Sequence, residues 1–183
     1  MDEKIRCRLR VATEDDISAI EKLIPLSVRG LQAAYYSAAQ MEAALGSVFG
    51  VDRQLIRDET YFVVEDENEI IGCGGWSKRK TLFGSDHQTN RDDAELNPSR
   101  DSARVRAFFI HPAWARRGIG RVILEACEDA VRATRFKSIE LVATLPGEAF
   151  YAAFDYVPTE RCEIPLANGL TLPVVRMTKS FSP

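Results

Sequence analysis

The sequence predicts a mixed α/β domain, with one β-sheet and helices packed on it. Three observations carry this. Stretches with a period of two alternate along the chain with stretches of helical period. Two pairs of strand-like stretches are joined by short turn clusters, as antiparallel neighbours are. One strand runs through a glycine-flanked turn into a long amphipathic helix.

In chain order, Arg6 to Ala12 alternates basic and apolar residues, as a half-buried strand does. Thr13-Glu14-Asp15-Asp16 is a helix start, with Thr13 as cap and Asp16 reciprocating. Ile17, Ile20, Leu23 and Ile24 follow at helical spacing, and a second helix is expected over Ser37 to Leu45. Tyr61 to Glu65 is a strand, Asp66-Glu67-Asn68 a turn, and Glu69 to Trp76 the return strand. Gly72, Gly74 and Gly75 in that strand point to a bulge or a close backbone approach.

Lys80 to Ser102 is polar and aperiodic, long for a connection in a compact domain; it reads as a functional lid or a disordered insertion. Arg104 to Ile110 is a strand stopped by His111-Pro112. Gly118-Ile119-Gly120 opens a helix to about Arg135. Its stripe is Ile119, Ile123, Ala126, Cys127 and Ala130, with Arg121–Glu125 and Glu128–Arg132 on the wet side. Ser138 to Ala143 is a strand and Glu148 to Phe154 a short helix. Tyr156 to Leu166 and Leu170 to Lys179 are closing strands joined at Asn168-Gly169.

Composition narrows the function. With 183 residues, 45% hydrophobic and 28% charged, the chain suits a single domain spanning 1–183 with a core built without disulfides. A net charge of -3 argues against wholesale nucleic-acid binding. Cys7, Cys73, Cys127 and Cys162 form no C-x-x-C pair, so zinc spacing is absent and they read as small buried hydrophobes in a reducing compartment. The first residues, Met-Asp-Glu-Lys, start no signal peptide, and no apolar run has the roughly 20 residues of a membrane span. A cytoplasmic protein with no membrane partner is expected.

The chemistry concentrates in Ile110-His111-Pro112-Ala113-Trp114-Ala115-Arg116-Arg117-Gly118-Ile119-Gly120-Arg121. Glycines let backbone N–H groups face a ligand, and the helix start adds positive partial charge. Arg116, Arg117 and Arg121 add full charges, so a pyrophosphate is the natural guest. The Rossmann fingerprint fails, because Ile123 stands where its third glycine belongs, and the P-loop Gly-Lys-Ser/Thr is missing. An unrelated nucleotide-dependent α/β enzyme is the competing reading of this turn.

The run from Val105 to Ala126 resembles the cofactor motif of the GNAT superfamily of N-acetyltransferases: a strand, a proline shortly after it, then Arg-x-x-Gly-x-Gly/Ala. Here Arg-Arg-Gly-Ile-Gly sets Arg116 two before Gly118, one residue closer than in some forms. The resemblance covers nearly the whole chain except the 80–102 loop. It implies a central, mostly antiparallel sheet of six to seven strands with a splayed pair, flanked by about four helices. It also implies acetyl-CoA as cosubstrate, no metal, a small-molecule or peptide amine as acceptor, and in many members a homodimer. Phe108, Phe109 and Ile110 would pair their backbone with pantetheine, and Arg116 to Arg121, including Ile119 and Gly120, would wrap the pyrophosphate. Of the two phenylalanines, only one should face the core.

Thr144 to Tyr156 resembles the family's late motif, with Phe150-Tyr151 on a short helix. Tyr151 matches the tyrosine that in many members protonates the departing thiolate. Asp155 stands where glycine is usual, and the family's asparagine before the helix is absent, with Thr144 and Pro146 in its place. Those departures keep open an acyl-CoA sensor of the same fold without turnover. An attacking amine must be neutral, and a lysine-like one is so in only about one molecule in a thousand at pH 7. Glu140, His111, Glu65 and Glu95 are options for the base, and a cysteine nucleophile is a further route. The acceptor pocket is expected to involve Tyr35-Tyr36 and the 80–102 loop.

Overall fold

The computed structural model describes residues 7–181, and seven strands lie among them. These are β1 (Arg8–Val11), β2 (Tyr61–Asp66), β3 (Glu69–Ser77), β4 (Ala103–Ile110), β5 (Ser138–Thr144), β6 (Val157–Pro165) and β7 (Thr171–Ser180). They form one sheet in the order β1-β2-β3-β4-β5-β7-β6. Every neighbouring pair is antiparallel except β4 and β5. Five α-helices flank it: α1 (Ile17–Gln32), α2 (Ala38–Ala44), α3 (Arg53–Arg57), α4 (Ile119–Ala133) and α5 (Leu145–Ala152). None is long and apolar enough to cross a membrane among the described residues. Arg6, expected to start the first strand, lies outside the described residues, as do Met1 to Lys4.

Local chemistry explains most boundaries. The Thr13 N–H donates to Asp16 Oδ2 at 2.8 Å, and Arg10 holds both oxygens of Asp16 at 2.7 and 2.8 Å, so the entry to α1 is fixed. Ser37 caps α2 and Gln40 returns the bond to the Ser37 amide. Glu67 and Asn68 both have positive φ, 46° and 72°, which suits a two-residue hairpin turn between β2 and β3. Asn168 and Gly169, at 60° and 71°, turn the chain between β6 and β7.

The sheet is covered on both faces, and strand alternation divides the core in two. On one face, α1, α2 and α3 pack on Val63, Cys73, Phe109, Leu172 and Val174. On the other, α4 and α5 pack on Val64, Ile71, Leu141, Val175 and Met177. This corrects the expectation for the phenylalanine pair. Phe109 is buried on the α1 face and Phe108 packs on the α4 face, because each face carries helices.

Other expectations also shift. α5 begins three residues earlier than Glu148, since Pro146 is well placed in a first helical turn. α3, only five residues long, shows no period in the sequence. The Glu128 carboxylate is buried rather than wet: Lys179 from β7 reaches it at 2.9 Å, and Arg132 at 3.0 Å. Arg121 and Glu125 do pair in solvent, at 2.8 Å. Cys73 and Cys127 are buried, but Cys7 and Cys162 are only half-buried, at the sheet's edges.

The 80–102 segment is an ordered part of the fold. Lys80 and Thr81 amides bond to Ala94 and Asp92 carbonyls at 3.0 and 2.9 Å, and Arg79 holds Asp58 at 2.6 Å. Its deepest anchor is a buried charge cluster. Asp52 Oδ2 lies 2.8 Å from Arg106 Nη1, Asp52 Oδ1 accepts from Arg91 Nη2 at 3.2 Å, and Arg106 Nη2 donates to the Gly84 carbonyl at 2.6 Å.

Candidate active site

Strands β4 and β5 pair only at Ala103–Ile139 and Arg104–Glu140. Beyond those residues they separate, and a cavity of about 470 Å³ occupies the gap. On the other edge, β4 follows β3 through a register shift at Gly74. Two residues of β4, Ala107 and Phe108, bulge there, with Ala107 at φ 55°. Tyr61 stabilises the bulge by donating to the Ala107 carbonyl at 3.0 Å. Gly74 makes it possible, since a Cβ there would lie 2.4 Å from the Phe108 ring. Gly72 is as crowded, 2.6 Å from Ile119 Cγ2 at the foot of α4. The glycines expected to mark a bulge or close approach therefore mark both.

At the mouth of the gap the chain makes a left-handed turn. Arg116 has φ 64° and Gly118, the cap of α4, has φ 87°. The first helical bond runs from Val122 N–H to the Gly118 carbonyl at 3.1 Å. The amides of Ile119, Gly120 and Arg121 thus precede any intrahelical partner and face outward, where helix partial charge is positive. Alternating hand in successive residues gathers such amides into an anion-sized concavity. A Cβ on Gly120 would sit 3.2 Å from the Phe150 ring, so α4 and α5 meet at this turn.

Phe108, Phe109, Ile110, Arg116, Gly118, Ile119, Gly120, Arg121 and Tyr151 all border the cavity. Arg117 is set back, with its guanidinium 5.1 Å over the Trp114 ring. The Ile110 N–H already donates to Ser27 Oγ at 3.1 Å, a contact from α1 that strand patterning does not reveal.

Tyr151 stands on the wall made by α5. Its ring meets those of Phe108, Phe150 and Tyr156 at centroid distances of 6.2, 5.0 and 5.7 Å. Burial pushes its phenol well above the ordinary value, and the Cys127 thiol adds to that, so it holds its proton at neutral pH. Asp155, where glycine is usual in the motif, takes φ 67° and keeps the left-handed exit of the helix.

The four carboxylate and imidazole options for a base are engaged elsewhere. Glu140 is held between Arg104 and Arg176, the latter at 2.6 Å. Glu65 pairs with Arg10 at 2.9 Å and Glu95 with Lys78 at 2.9 Å. His111 Nδ1 accepts from the Ala113 amide at 3.2 Å as a cap. Tyr35 and Tyr36 do not border the cavity. Tyr35 is 56% exposed, while Tyr36 donates to the Pro173 carbonyl at 2.7 Å and accepts from the Leu145 amide at 2.8 Å. Burial raises its phenol to about 12. It ties α1 and α2 to β7 and α5.

The far wall is formed instead by Val48, Phe49 and Gly50 before α3 and by Leu82, Phe83 and Gly84 of the long segment. Arg106 and Gln32 also border the cavity and carry no local sequence signal.

Residues 57–158, more than half of the chain, match the acetyltransferase (GNAT) domain model. The chain belongs to the GNAT acetyltransferase family. Solved structures of this fold are similar along almost its whole length. A GCN5-related N-acetyltransferase from Rhodopseudomonas palustris is 20% identical with a TM-score of 0.70, with 95% of each chain covered. The PaiA N-acetyltransferase from Thermoplasma acidophilum, in complex with coenzyme A, is 10% identical with a TM-score of 0.61, covering 96% of this chain and 99% of that one. A GNAT family acetyltransferase from Brucella melitensis, in complex with acetyl-CoA, is 15% identical with a TM-score of 0.58, covering 98% and 90%. No curated protein matches the sequence. The GNAT match spans β2 to the start of β6, so it includes the splayed strands, the left-handed turn and Tyr151.

Proposed function

We propose that this chain transfers an acetyl group from acetyl-CoA to a primary amine by direct attack while both substrates are bound. The observation that carries the reading is the course of the cleft, which runs between the separated strands and ends at the unpartnered amides of α4. A pyrophosphate is favoured there by the amides of Gly118, Ile119, Gly120 and Arg121 and by the charges of Arg116, Arg117 and Arg121. The pantetheine arm would lie in the gap against the backbone of Phe108, Phe109 and Ile110, and would share or displace the Ser27 hydroxyl at the Ile110 amide. The relatives solved with coenzyme A and acetyl-CoA support this through their common fold.

In this reading the amine attacks the thioester carbonyl, and backbone N–H groups of the bulged β4 stabilise the charge that grows on its oxygen. Tyr151 gives its proton to the departing sulfur. Desolvation raises the phenol, and it acts in the same direction on a thiolate leaving into the same cleft.

Calorimetric titration with acetyl-CoA, followed by thiol release over a panel of amines, tests the reading. Saturable binding with amine-dependent release is expected. Binding without release by any amine indicates a sensor of acyl-CoA, and no binding removes the reading altogether.

A further inference from the structure

The acceptor side of the cleft is largely apolar. Val48, Phe49, Phe83, Ile164, Leu172 and Val174 bound it. Phe49 is buried and meets Phe109 edge-on, with centroids 6.1 Å apart. Every charged side chain bordering the cleft among the described residues is an arginine: Arg106, Arg116 and Arg121. The carboxylate paired with Arg106 is Asp52, wholly buried and shared with Arg91, which Asp93 also pairs. An alkylammonium entering here would lose its hydration against hydrocarbon and find no carboxylate among the described residues that line the cleft.

Among the described residues, two that border the cleft keep an unused buried polar atom, the donor Arg106 Nε and the acceptor Gln32 Oε1. Gln32, at the end of α1, is 7% exposed, and its side-chain oxygen has no hydrogen-bond partner in the protein among the described residues. A neutral carbonyl oxygen without a donor matches the N–H of a neutral amine. We infer that the acceptor is a weakly basic aromatic amine, its flat body between the apolar walls and its N–H on the Gln32 amide oxygen, which is closed off within the wall and turns to the cleft to receive it. This rests on the acetyl transfer proposed above.

The chemistry closes without a carboxylate base. The nitrogen lone pair forms a bond to the acetyl carbon, the carbon–sulfur bond breaks, and the sulfur takes the Tyr151 proton. The amide nitrogen sheds one of its two hydrogens to water, and Tyr151 regains its proton from solvent. The products are the N-aryl acetamide and free coenzyme A. Such an amine is neutral at pH 7, so no group is needed to deprotonate it before attack, whereas a lysine-like amine is neutral in about one molecule in a thousand.

The test compares 4-ethylaniline with 4-ethylcyclohexylamine, similar in size and differing in basicity, on the full chain with acetyl-CoA at pH 7, reading coenzyme A release. Turnover with the aniline should exceed that with the cyclohexylamine by at least about tenfold. Gln32→Glu, nearly isosteric, sets a carboxylate in the wall and should lower that ratio by at least about tenfold. Gln32→Leu should raise KM for the aniline with the coenzyme A affinity retained. Because the ratio is read on whatever enzyme is folded, partial destabilisation does not mimic the effect. A preference for the cyclohexylamine, or a ratio unmoved by Gln32→Glu, overturns the acceptor class and leaves the acetyl transfer standing. Failure of acetyl-CoA to bind in calorimetry overturns both.

Discussion

Removing the Asp52 carboxylate, just behind the wall of the cleft, should cost several kcal/mol of stability. Asp52 is wholly buried and does three things at once. It caps α3, accepting from the Gln54 amide at 3.1 Å. It takes Arg91 on Oδ1 at 3.2 Å and faces Arg106 from Oδ2 at 2.8 Å. The last contact is an ion pair off the N–H direction, and Arg106 Nε has no partner. After Asp52→Ala, Arg106, whose side chain is 2% exposed, keeps only the Gly84 carbonyl. Breaking a buried pair from one side costs about 3–5 kcal/mol, while a lost cap costs about 1 kcal/mol. The cation therefore dominates. For a chain of this size, each kcal/mol lowers Tm by roughly 2–4 °C, so a fall of about 6–20 °C is expected in calorimetry. Asp52→Leu with Arg106→Met removes both charges and should recover much of the loss. A single-variant loss under about 1 kcal/mol, or a double variant no better than the sum of its parts, would refute the reasoning.

Three further outcomes are expected. Tyr151→Phe keeps the ring contacts with Phe108, Phe150 and Tyr156, so acetyl-CoA affinity should hold while kcat falls by about a hundredfold to ten-thousandfold in steady-state kinetics. Gly74→Val drives a side chain into Phe108 and pushes that ring toward the gap, so acetyl-CoA Kd measured by calorimetry should rise by at least about tenfold. Asp58, hydrogen-bonded by Arg79, and Asp16, hydrogen-bonded by Arg10, both hold folded pKa values below the ordinary carboxylate range. Their contribution is present above that range and is lost as pH falls through the depressed values; Arg79→Ala should flatten the acid side of a urea-midpoint profile, and an unchanged slope would exclude the Asp58 pair as its source.

Much of the fold is legible because it depends on neighbours in sequence. The β2–β3 hairpin needs only alternation and a turn at Glu67-Asn68, and the start of α4 needs only a glycine that tolerates φ 87°. Boundaries set by a single local preference slipped. α5 started at Leu145 because Pro146 suits a first turn, and α3, five residues long, is too short to show a period. Errors of side came from distant partners. Glu128 looks solvated on its own helix, but Lys179, fifty-one positions away, draws it inward. Phe108 and Phe109 compete for one core only if the sheet has one covered face, and it has two.

The two halves of the cleft differ in the same way. The half proposed to hold the cofactor is encoded within one continuous stretch, where strand, turn and helix follow each other and helix-start amides need no side chain to face an anion. The half proposed to hold the acceptor is assembled from α1, the turn before α3, the long segment after β3, and strands β6 and β7. Gln32, Phe49, Phe83 and Ile164 are separated by tens of residues and share no spacing. What brings Gly84 to Arg106 is a pair of buried charges, and a charge in a sequence does not announce its burial. In the proposed reading, acceptor choice can change through substitutions in the 45–50 and 80–85 segments while the turn at the start of α4 stays fixed, and Asp52 is where those segments are joined to β4.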